Sequence, residues 1–177
     1  MPDGFRHAPD LITPDEEAAL AARFADLPFR EFEFHGFLGK RRIVSYGWKY
    51  DYGARQAQRV ADIPDVLLPV RDAAARFAGL EASAFQQALV TEYSPGAAIG
   101  WHKDKPQFGE VIGVSLLSPC LFRLRRKAGA GWERASLTLE PRSVYLLADE
   151  SRTAWEHSIP GVEQLRYSIT FRNFKAG

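Results

Sequence analysis

The sequence predicts a mainly β protein with flanking helices, an α+β chain whose core is a sandwich or jelly roll. Two helical patterns lie before residue 85, and short strand-like runs separated by turn residues fill the chain from residue 86 onward. No repeat, low-complexity segment or linker interrupts the 177 residues. We therefore expect one domain over 1–177, with N-terminal helices over about 1–85 and a jelly-roll core over about 86–174.

Both helices carry recognisable start or stop signals. The stretch Thr13–Glu16 fits a capping box with proline at the first helical position, and apolar residues recur at helical spacing up to Leu27. This predicts a helix over 13–27. A second helix is expected to begin near Pro64 and to end at Gly79.

The remaining elements are predicted as strands. Residues 29–34 alternate at period two, as a half-buried strand does. Proline- and glycine-containing turns separate eight further candidates. These are 87–93, 98–104, 111–117, 120–126, 136–140, 143–148, 153–158 and 165–172.

Composition excludes several classes of protein. A net charge of +1 argues against bulk electrostatic binding of long nucleic acid, so any polyanion must bind at a local patch. The single cysteine, Cys120, excludes an internal disulfide and a cysteine-rich zinc module, and its apolar setting predicts a buried thiol. The N-terminal residues lack a signal-peptide pattern, and no stretch approaches the roughly 20 apolar residues of a membrane span. We expect a cytoplasmic monomer with no membrane association.

Three residues are candidate metal ligands. A predicted strand ends in His102-x-Asp104, and residues i and i+2 of a strand point to the same face. The two side chains can offer an imidazole nitrogen and a carboxylate oxygen to one ion, and His157 is the natural third ligand. Such a set leaves coordination positions open on Fe(II) and is typical of non-haem oxygenases. For His-x-Asp alone a surface turn is the alternative, and His7 and His35 are interpreted as surface or loop histidines.

The last strand pattern strengthens this hypothesis. In the run 165–172, polar residues occupy one face and apolar residues the other. The polar face holds Arg166, Ser168, Thr170 and Arg172. Two arginines on one strand face are either solvated or paired with anions, because burying unpaired charges is costly. The functional interpretation is a dicarboxylate held between the two guanidinium groups, whose planar forks match carboxylates.

As an ordered set, these residues resemble the AlkB family of Fe(II)/2-oxoglutarate-dependent dioxygenases. The resemblance covers residues 86–174, about half the chain. Its elements are Tyr93-x-Pro95-Gly96, His102-x-Asp104-Lys105, Glu150-Ser151-Arg152, His157 and Arg166-Tyr167-x-x-x-Thr170-Phe171-Arg172. The resemblance implies a double-stranded β-helix fold with iron held by His102, Asp104 and His157.

The resemblance also implies how 2-oxoglutarate binds. Arg166 would pair with the distal carboxylate with help from Tyr93, and Arg172 would lie near the carboxylate that chelates iron. We assign Thr91 and Ser168 to the same cosubstrate site. Thr91 stands where the family often has asparagine.

Substrate-binding residues are expected before the core. The segment 40–52 is similar to the nucleotide-recognition lid of the family. Arg41 and Arg42 could hold phosphate while Tyr46 or Trp48 stacks on a flipped base. Aromatic residues packed in the core are the alternative.

The predicted activity is oxidative removal of N-alkyl groups from the bases of single-stranded DNA or RNA. It would use Fe(II), 2-oxoglutarate and O2 and release succinate, CO2 and formaldehyde. One alternative is an oxygenase of the same family acting on a protein or small molecule, because Pro106 replaces an acidic residue of the family pattern. The other is a jelly-roll binding module without a metal. A second basic cluster fits phosphate contact or a solvated strand face; it comprises Arg123, Arg125, Arg126 and Lys127.

Overall fold

The computed structural model describes residues 1–34, 37–51 and 54–175. The predicted loop histidine His35 and the lid residue Tyr52 lie outside them. Within the described residues the strands are β1 (Phe5–Ala8), β2 (Arg30–Phe34), β3 (Phe37–Tyr46), β4 (Trp48–Asp51), β5 (Gln56–Arg59), β6 (Gln87–Tyr93), β7 (Ile99–His102), β8 (Phe108–Leu116), β9 (Cys120–Ala128), β10 (Gly131–Leu139), β11 (Val144–Leu147), β12 (Glu156–Ile159) and β13 (Arg166–Phe174). The α-helices are α1 (Pro14–Phe24), α2 (Leu68–Ala78) and α3 (Asp149–Thr153), and 3-10 helices cover Asp65–Leu67 and Ala82–Ala84.

Helices α1 and α2 begin and end close to where their sequence signals predict. The capping box at Thr13 is formed: its hydroxyl accepts from the Glu16 N–H at 3.1 Å, and the Glu16 carboxylate accepts from the Thr13 N–H at 3.2 Å. Helix α2 ends at Gly79, whose φ of 71° is left-handed and favours glycine. None of the helices in the described part of the chain combines the length and apolar character needed to cross a membrane.

Two antiparallel sheets form the body of the fold. The larger has the strand order β1-β11-β8-β13-β6-β3-β2, and the smaller has the order β10-β9-β12-β7. Strands β4 and β5 form a separate two-stranded hairpin. The strand β13 therefore lies near the centre of the larger sheet, whereas β7 is an edge strand of the smaller one.

The larger sheet contributes to two hydrophobic cores, one on each face. On one face, Ile169 and Phe171 of β13 pack in a cluster with Leu20 and Phe24 of α1 and with residues of α2. The other face meets the smaller sheet, and the core between them includes Phe122 of β9 and Tyr145 of β11. Cys120 belongs to this second core and is buried, as predicted.

Several predicted strand boundaries were wrong. Residues 149–153 of the chain are helical, because the Ser151 hydroxyl bonds the backbone N–H and C=O of Ala148 and closes a turn, so the strand predicted over 153–158 begins only at Glu156. Strand β10 begins at Gly131 rather than at 136, since a turn at Gly129 lets β9 and β10 pair along their full length. Strand β1 was not predicted; it has no apolar alternation and is defined by its pairing with β11.

Candidate active site

The structure brings the three predicted metal ligands together at one end of the smaller sheet. His102 ends β7, His157 lies opposite it on β12, and their ring centroids are 4.2 Å apart. One donor atom from each of His102, Asp104 and His157 lies within 4.8 Å of the others. Two imidazoles and one carboxylate at this spacing fit an Fe(II) ion.

A backbone hydrogen bond orients the first histidine. His102 Nδ1 lies 2.8 Å from the carbonyl oxygen of Gly100. A carbonyl only accepts, so Nδ1 carries the proton and donates it, and Nε2 is left with its lone pair for a metal. This hydrogen bond fixes the tautomer of His102 in the way that is usual for metal-binding histidines.

Arg172 orients the carboxylate ligand. Its Nε donates to Asp104 Oδ1 at 2.7 Å, and its Nη2 forms an ion pair with the same oxygen at 2.6 Å, while Oδ2 lies 3.6 Å from His157 Nε2. Burial alone would raise the pKa of Asp104, but Arg172 and the two imidazoles hold it well below its usual range. The carboxylate therefore stays ionised, with one oxygen held by Arg172 and the other directed at the imidazole of His157.

The imidazole of His157, the third candidate ligand, is neutral at neutral pH. Burial, followed by the positive field of His102, lowers the pKa of His157 to about 3. Burial likewise lowers the pKa of His102, with Asp104 and the hydrogen bond to Gly100 opposing it and Arg172, followed by Arg41, adding to it. Both imidazoles are thus unprotonated at neutral pH, which is the state that binds a metal.

A buried arginine that sequence reasoning did not assign positions the loop carrying Asp104. Strand β7 ends at His102, so strand periodicity does not place Asp104. Instead, the Arg152 guanidinium in α3 donates to the carbonyls of Gly109, Lys105 and Phe108 at 2.7–2.8 Å. The signal for this residue was its place in the Glu-Ser-Arg segment of the family resemblance.

The predicted cosubstrate residues surround a second buried arginine. Arg166 is only 1% exposed, and its Nε donates to the Ser115 hydroxyl at 2.9 Å. Its guanidinium carbon lies 4.9 Å from the centre of the Tyr93 ring. Within the described residues, its buried Nη1 has no hydrogen-bond partner. A buried guanidinium with an unsatisfied nitrogen fits a carboxylate ligand such as the distal one of 2-oxoglutarate.

Hydroxyl side chains extend this site across the sheet. Ser168 pairs with Thr91 on one side and with Ser115 on the other, so the three lie in one row of the inner face. All three are buried. The polar face of β13 is thus turned towards the interior between the sheets, and the solvated alternative is wrong.

Tyr145 lies beside the triad, and the sequence did not reveal this position. Its ring lies against Gly113 on the neighbouring strand, where an added Cβ would overlap it. Burial, and next the charge of Asp104, raises the pKa of Tyr145, while Arg166 and Arg172 oppose the shift. The phenol therefore lies within the electrostatic reach of both the triad and Arg166. In the sequence, only Gly113 indicated that a side chain from a neighbouring strand could lie this close to the backbone.

The predicted substrate residues divide between the two faces of β3. Arg41 is in register with Tyr93, and its charge acts on His102, so it lies on the active-site side. The assignment of Arg42 to the site is wrong geometrically: it is on the opposite face, with Nε and Nη2 on the two carboxylate oxygens of Glu92 at 2.7 and 2.9 Å. Alternation along a strand separates adjacent residues in this way.

The aromatic residues of the lid divide as well. Tyr46 is buried in the core beneath the helices, so the core alternative holds for it and its stacking role is wrong. Trp48 begins β4 and makes an edge contact with Phe174 at 5.4 Å between ring centres. Tyr50, two residues on, lies under the Lys105 ammonium at 5.2 Å and thus borders the loop of Asp104.

Comparison with known proteins agrees with this geometry. The family model of the 2OG-Fe(II) oxygenase superfamily matches residues 4–172. The chain is 28% identical over 176 residues to the "Alkylated DNA repair protein ALKBH8 homolog" of Arabidopsis thaliana, covering 86% of this chain and 49% of that protein. It is 26% identical over 187 residues to "Uncharacterized protein L905" of Acanthamoeba polyphaga mimivirus, covering 97% of this chain and 85% of that protein.

A solved structure shares the fold. "The structure of OsALKBH1" superposes with a TM-score of 0.75 over 98% of each chain, at 18% sequence identity. The predicted mainly β jelly-roll class is confirmed.

The chain belongs to the 2OG-Fe(II) oxygenase superfamily. Within it, the predicted membership of the AlkB family is confirmed. It carries the dioxygenase domain of this family, whose members use Fe(II), 2-oxoglutarate and O2. The chain spans about half the length of its Arabidopsis relative.

Proposed function

We propose that the chain is an oxidative demethylase that removes N-alkyl groups from the bases of single-stranded DNA or RNA. The products would be succinate, CO2 and formaldehyde. The proposal includes the cytoplasmic location and the monomeric state expected from the sequence.

The observation that carries the substrate class is the cationic and aromatic border of the triad. Arg41 is paired with Tyr93 and so lies on the site-facing side of β3, and Lys105 follows Asp104 by one residue and covers the ring of Tyr50. Cations beside an aromatic ring suit a nucleotide, whose phosphate is anionic and whose base has a π-face. The printed name of the Arabidopsis relative, an alkylated DNA repair protein, supports the same substrate class.

The chain's own residues would prepare the reaction rather than carry it out. Iron with 2-oxoglutarate supplies the activation of O2 that oxidises the N-alkyl carbon. His102, Asp104 and His157 would hold the metal, with Arg172 fixing the carboxylate. Arg166 would bind the far end of the cosubstrate and so fix its orientation in the water-poor space between the sheets.

The proposal is tested by formaldehyde release from methylated single-stranded DNA, RNA and peptide, with iron, ascorbate and 2-oxoglutarate present. We expect release from a nucleic acid, loss of release in Asp104→Ala, and no change in Asp26→Ala, which removes an exposed carboxylate just after α1, on the helix-covered side of the larger sheet. Formaldehyde from the peptide alone would support the alternative, an oxygenase acting on protein or a small molecule, which Pro106 and the +1 net charge favour. Release that persists in Asp104→Ala would contradict both.

A further inference from the structure

The outward surface of the smaller sheet carries an unusual set of side chains. Phe122 and Leu124 of β9 point into the core between the sheets, so the alternate residues of that strand point away from it. We call the outward set the outer basic–aromatic face. It comprises Trp101 of β7, Arg123, Arg125 and Lys127 of β9, and Trp132 and Arg134 of β10.

These side chains form a ladder of cations and indole rings. The Arg125 guanidinium lies between two indoles, 4.3 Å from the centre of the Trp101 ring and 4.1 Å from that of Trp132. Arg123 lies 5.0 Å from the ring of Trp101, and the Lys127 ammonium lies 5.0 Å from that of Trp132. Held against rings, these long side chains lose less freedom when they bind a ligand.

The ladder has an excess of positive charge. In the described parts of these paired strands, the outer basic–aromatic face holds four cations and one carboxylate. The carboxylate belongs to Glu156, which lies 3.4 Å from Arg125 Nε. Glu133 and Glu150 do not neutralise them, because both pair with Arg126 on its own side of β9. Trp132 is also 38% exposed, so part of its ring is open to a ligand.

This face is continuous with the active site around the edge of the sheet. Trp101 immediately precedes the ligand His102 on β7, and the two point to opposite faces. Strand β7 is the edge of the smaller sheet. A polymer that leaves the metal centre across this edge therefore reaches Trp101 and the ladder behind it.

We propose that the outer basic–aromatic face binds the single strand of nucleic acid that flanks the base in the active site. Arg123, Arg125, Lys127 and Arg134 would contact phosphates, and the exposed ring of Trp132 would stack on a base. An acidic peptide would use the cations but has no base to place on the indole, so a nucleic acid matches the face better. The inference rests on the proposed substrate class.

The test compares two variants of the full chain with a matched control. Lys127→Gln/Arg134→Gln removes two exposed cations without removing the Arg125 sandwich, and Trp132→Ala removes the exposed ring. The control, Arg23→Gln/Arg76→Gln, removes two exposed cations from α1 and α2 on the far side of the larger sheet. Binding of a fluorescein-labelled oligothymidylate of roughly 20 nucleotides is followed by anisotropy across a salt series. Thermal unfolding checks that each variant is folded.

We expect the cation variant to reduce the slope of log K against log salt by about 1.4, because each phosphate contact on a single strand contributes about 0.7. Trp132→Ala should weaken binding about five-fold or more, the lower end of what one stacked base contributes. The KM for a methylated strand of the same length should rise in both variants and stay unchanged in the control. Equal weakening in the control would overturn the proposal.

Two further outcomes separate this inference from the proposed function. If methylated strands are demethylated but neither variant alters binding or KM, the docking face is wrong and the demethylase function stands. If no methylated strand releases formaldehyde while binding shows the expected dependence, the function is wrong and the docking face stands. Displacement of the oligonucleotide by polyglutamate with the same dependence on Trp132 would show an acidic-peptide site instead.

Discussion

Strands β13 and β3 lie on either side of β6 and use their arginines in opposite ways. On β13, Arg166 and Arg172 are six residues apart, point to the same interior face and bind site groups: the Ser115 hydroxyl and the Asp104 carboxylate. On β3, Arg41 and Arg42 are adjacent in sequence, so one points to the site and the other to Glu92 on the opposite face.

The difference follows from what covers each face. The interior face of β13 is closed by the smaller sheet, so an arginine there must find an anion, and such a residue is informative about the ligand. The Arg42 side chain is 44% exposed, and it is satisfied by the carboxylate of Glu92 and by solvent. A basic residue on a strand thus indicates a site only when its face is buried.

The largest effect is expected for Arg166. Arg166→Ala removes the charged partner of the distal carboxylate, and losing one member of a buried charged pair costs about 2–5 kcal/mol. The KM for 2-oxoglutarate should rise about 30-fold or more, measured by succinate release. Arg166→Lys, which keeps the charge but not the planar fork, should recover part of this loss. An unchanged KM in Arg166→Ala would contradict the assigned cosubstrate site.

The next effect concerns Arg172 and depends on pH. Arg172→Gln removes the cation that lowers the pKa of Asp104, so burial dominates and that pKa rises. A protonated carboxyl does not bind metal, so the affinity for Fe(II) should fall about 10- to 100-fold, as expected for a group that orients a ligand. The loss should deepen towards the acidic end of an anaerobic titration between about pH 5 and pH 8.

The matched control for that titration is Arg126→Gln, since Arg126 forms surface ion pairs with Glu133 and Glu150. It should leave the pH dependence of metal binding unaltered. If the Fe(II) affinities of Arg172→Gln and of the unsubstituted protein changed with pH in parallel, Arg172 would not control the protonation of Asp104.

A smaller effect is expected on stability at Gly113. In Gly113→Ala the new Cβ overlaps the Tyr145 ring and forces it to move, which costs about 1–3 kcal/mol of unfolding free energy. Urea unfolding of the metal-free protein measures this. Gly131→Ala is the control, because its nearest neighbour would be the Ala128 carbonyl oxygen at 4.0 Å. Similar losses in both variants would argue against the close approach of Tyr145.

The smallest effect should come from Arg42. Arg42→Gln leaves the Glu92 side chain, which is 11% exposed, with a weaker partner and should cost about 1 kcal/mol of stability. The KM for 2-oxoglutarate should not change. A rise comparable to that of Arg166→Ala would mean that β3 presents both of its arginines to the site.

The grouping of His102, Asp104 and His157 and the inward direction of Arg166 were predictable because they depend on few, rigid features. A buried strand with two polar positions at period two fixes the direction of Arg166 and Arg172, and His157 needed only a neighbouring strand. Strand alternation placed Asp104 on the correct side, but that reason was incomplete because β7 ends at His102. The position of Asp104 depends on contacts from Arg152 and Arg172, which are far away in sequence.

Tyr46 and Tyr145 show what the sequence pattern does not resolve. Both are aromatic residues in strands, yet one packs beneath helices and the other faces the site. Their surroundings are set by which sheet or helix covers each face, and that is a tertiary property. Strand β1 is similar, since its four residues acquire their structure by pairing with β11.

The Arg152 contacts have a consequence for how the two parts of the site depend on each other. Arg152 lies in α3, the helix that precedes the strand of His157. Its guanidinium donates hydrogen bonds to the carbonyls of Lys105 and Phe108, which follow Asp104. The two remote stretches of chain that supply the donors are thereby joined by protein alone. A single change at Arg152 should therefore displace the donors on both stretches at once, so the geometry of the three donors depends on a residue that is not one of them.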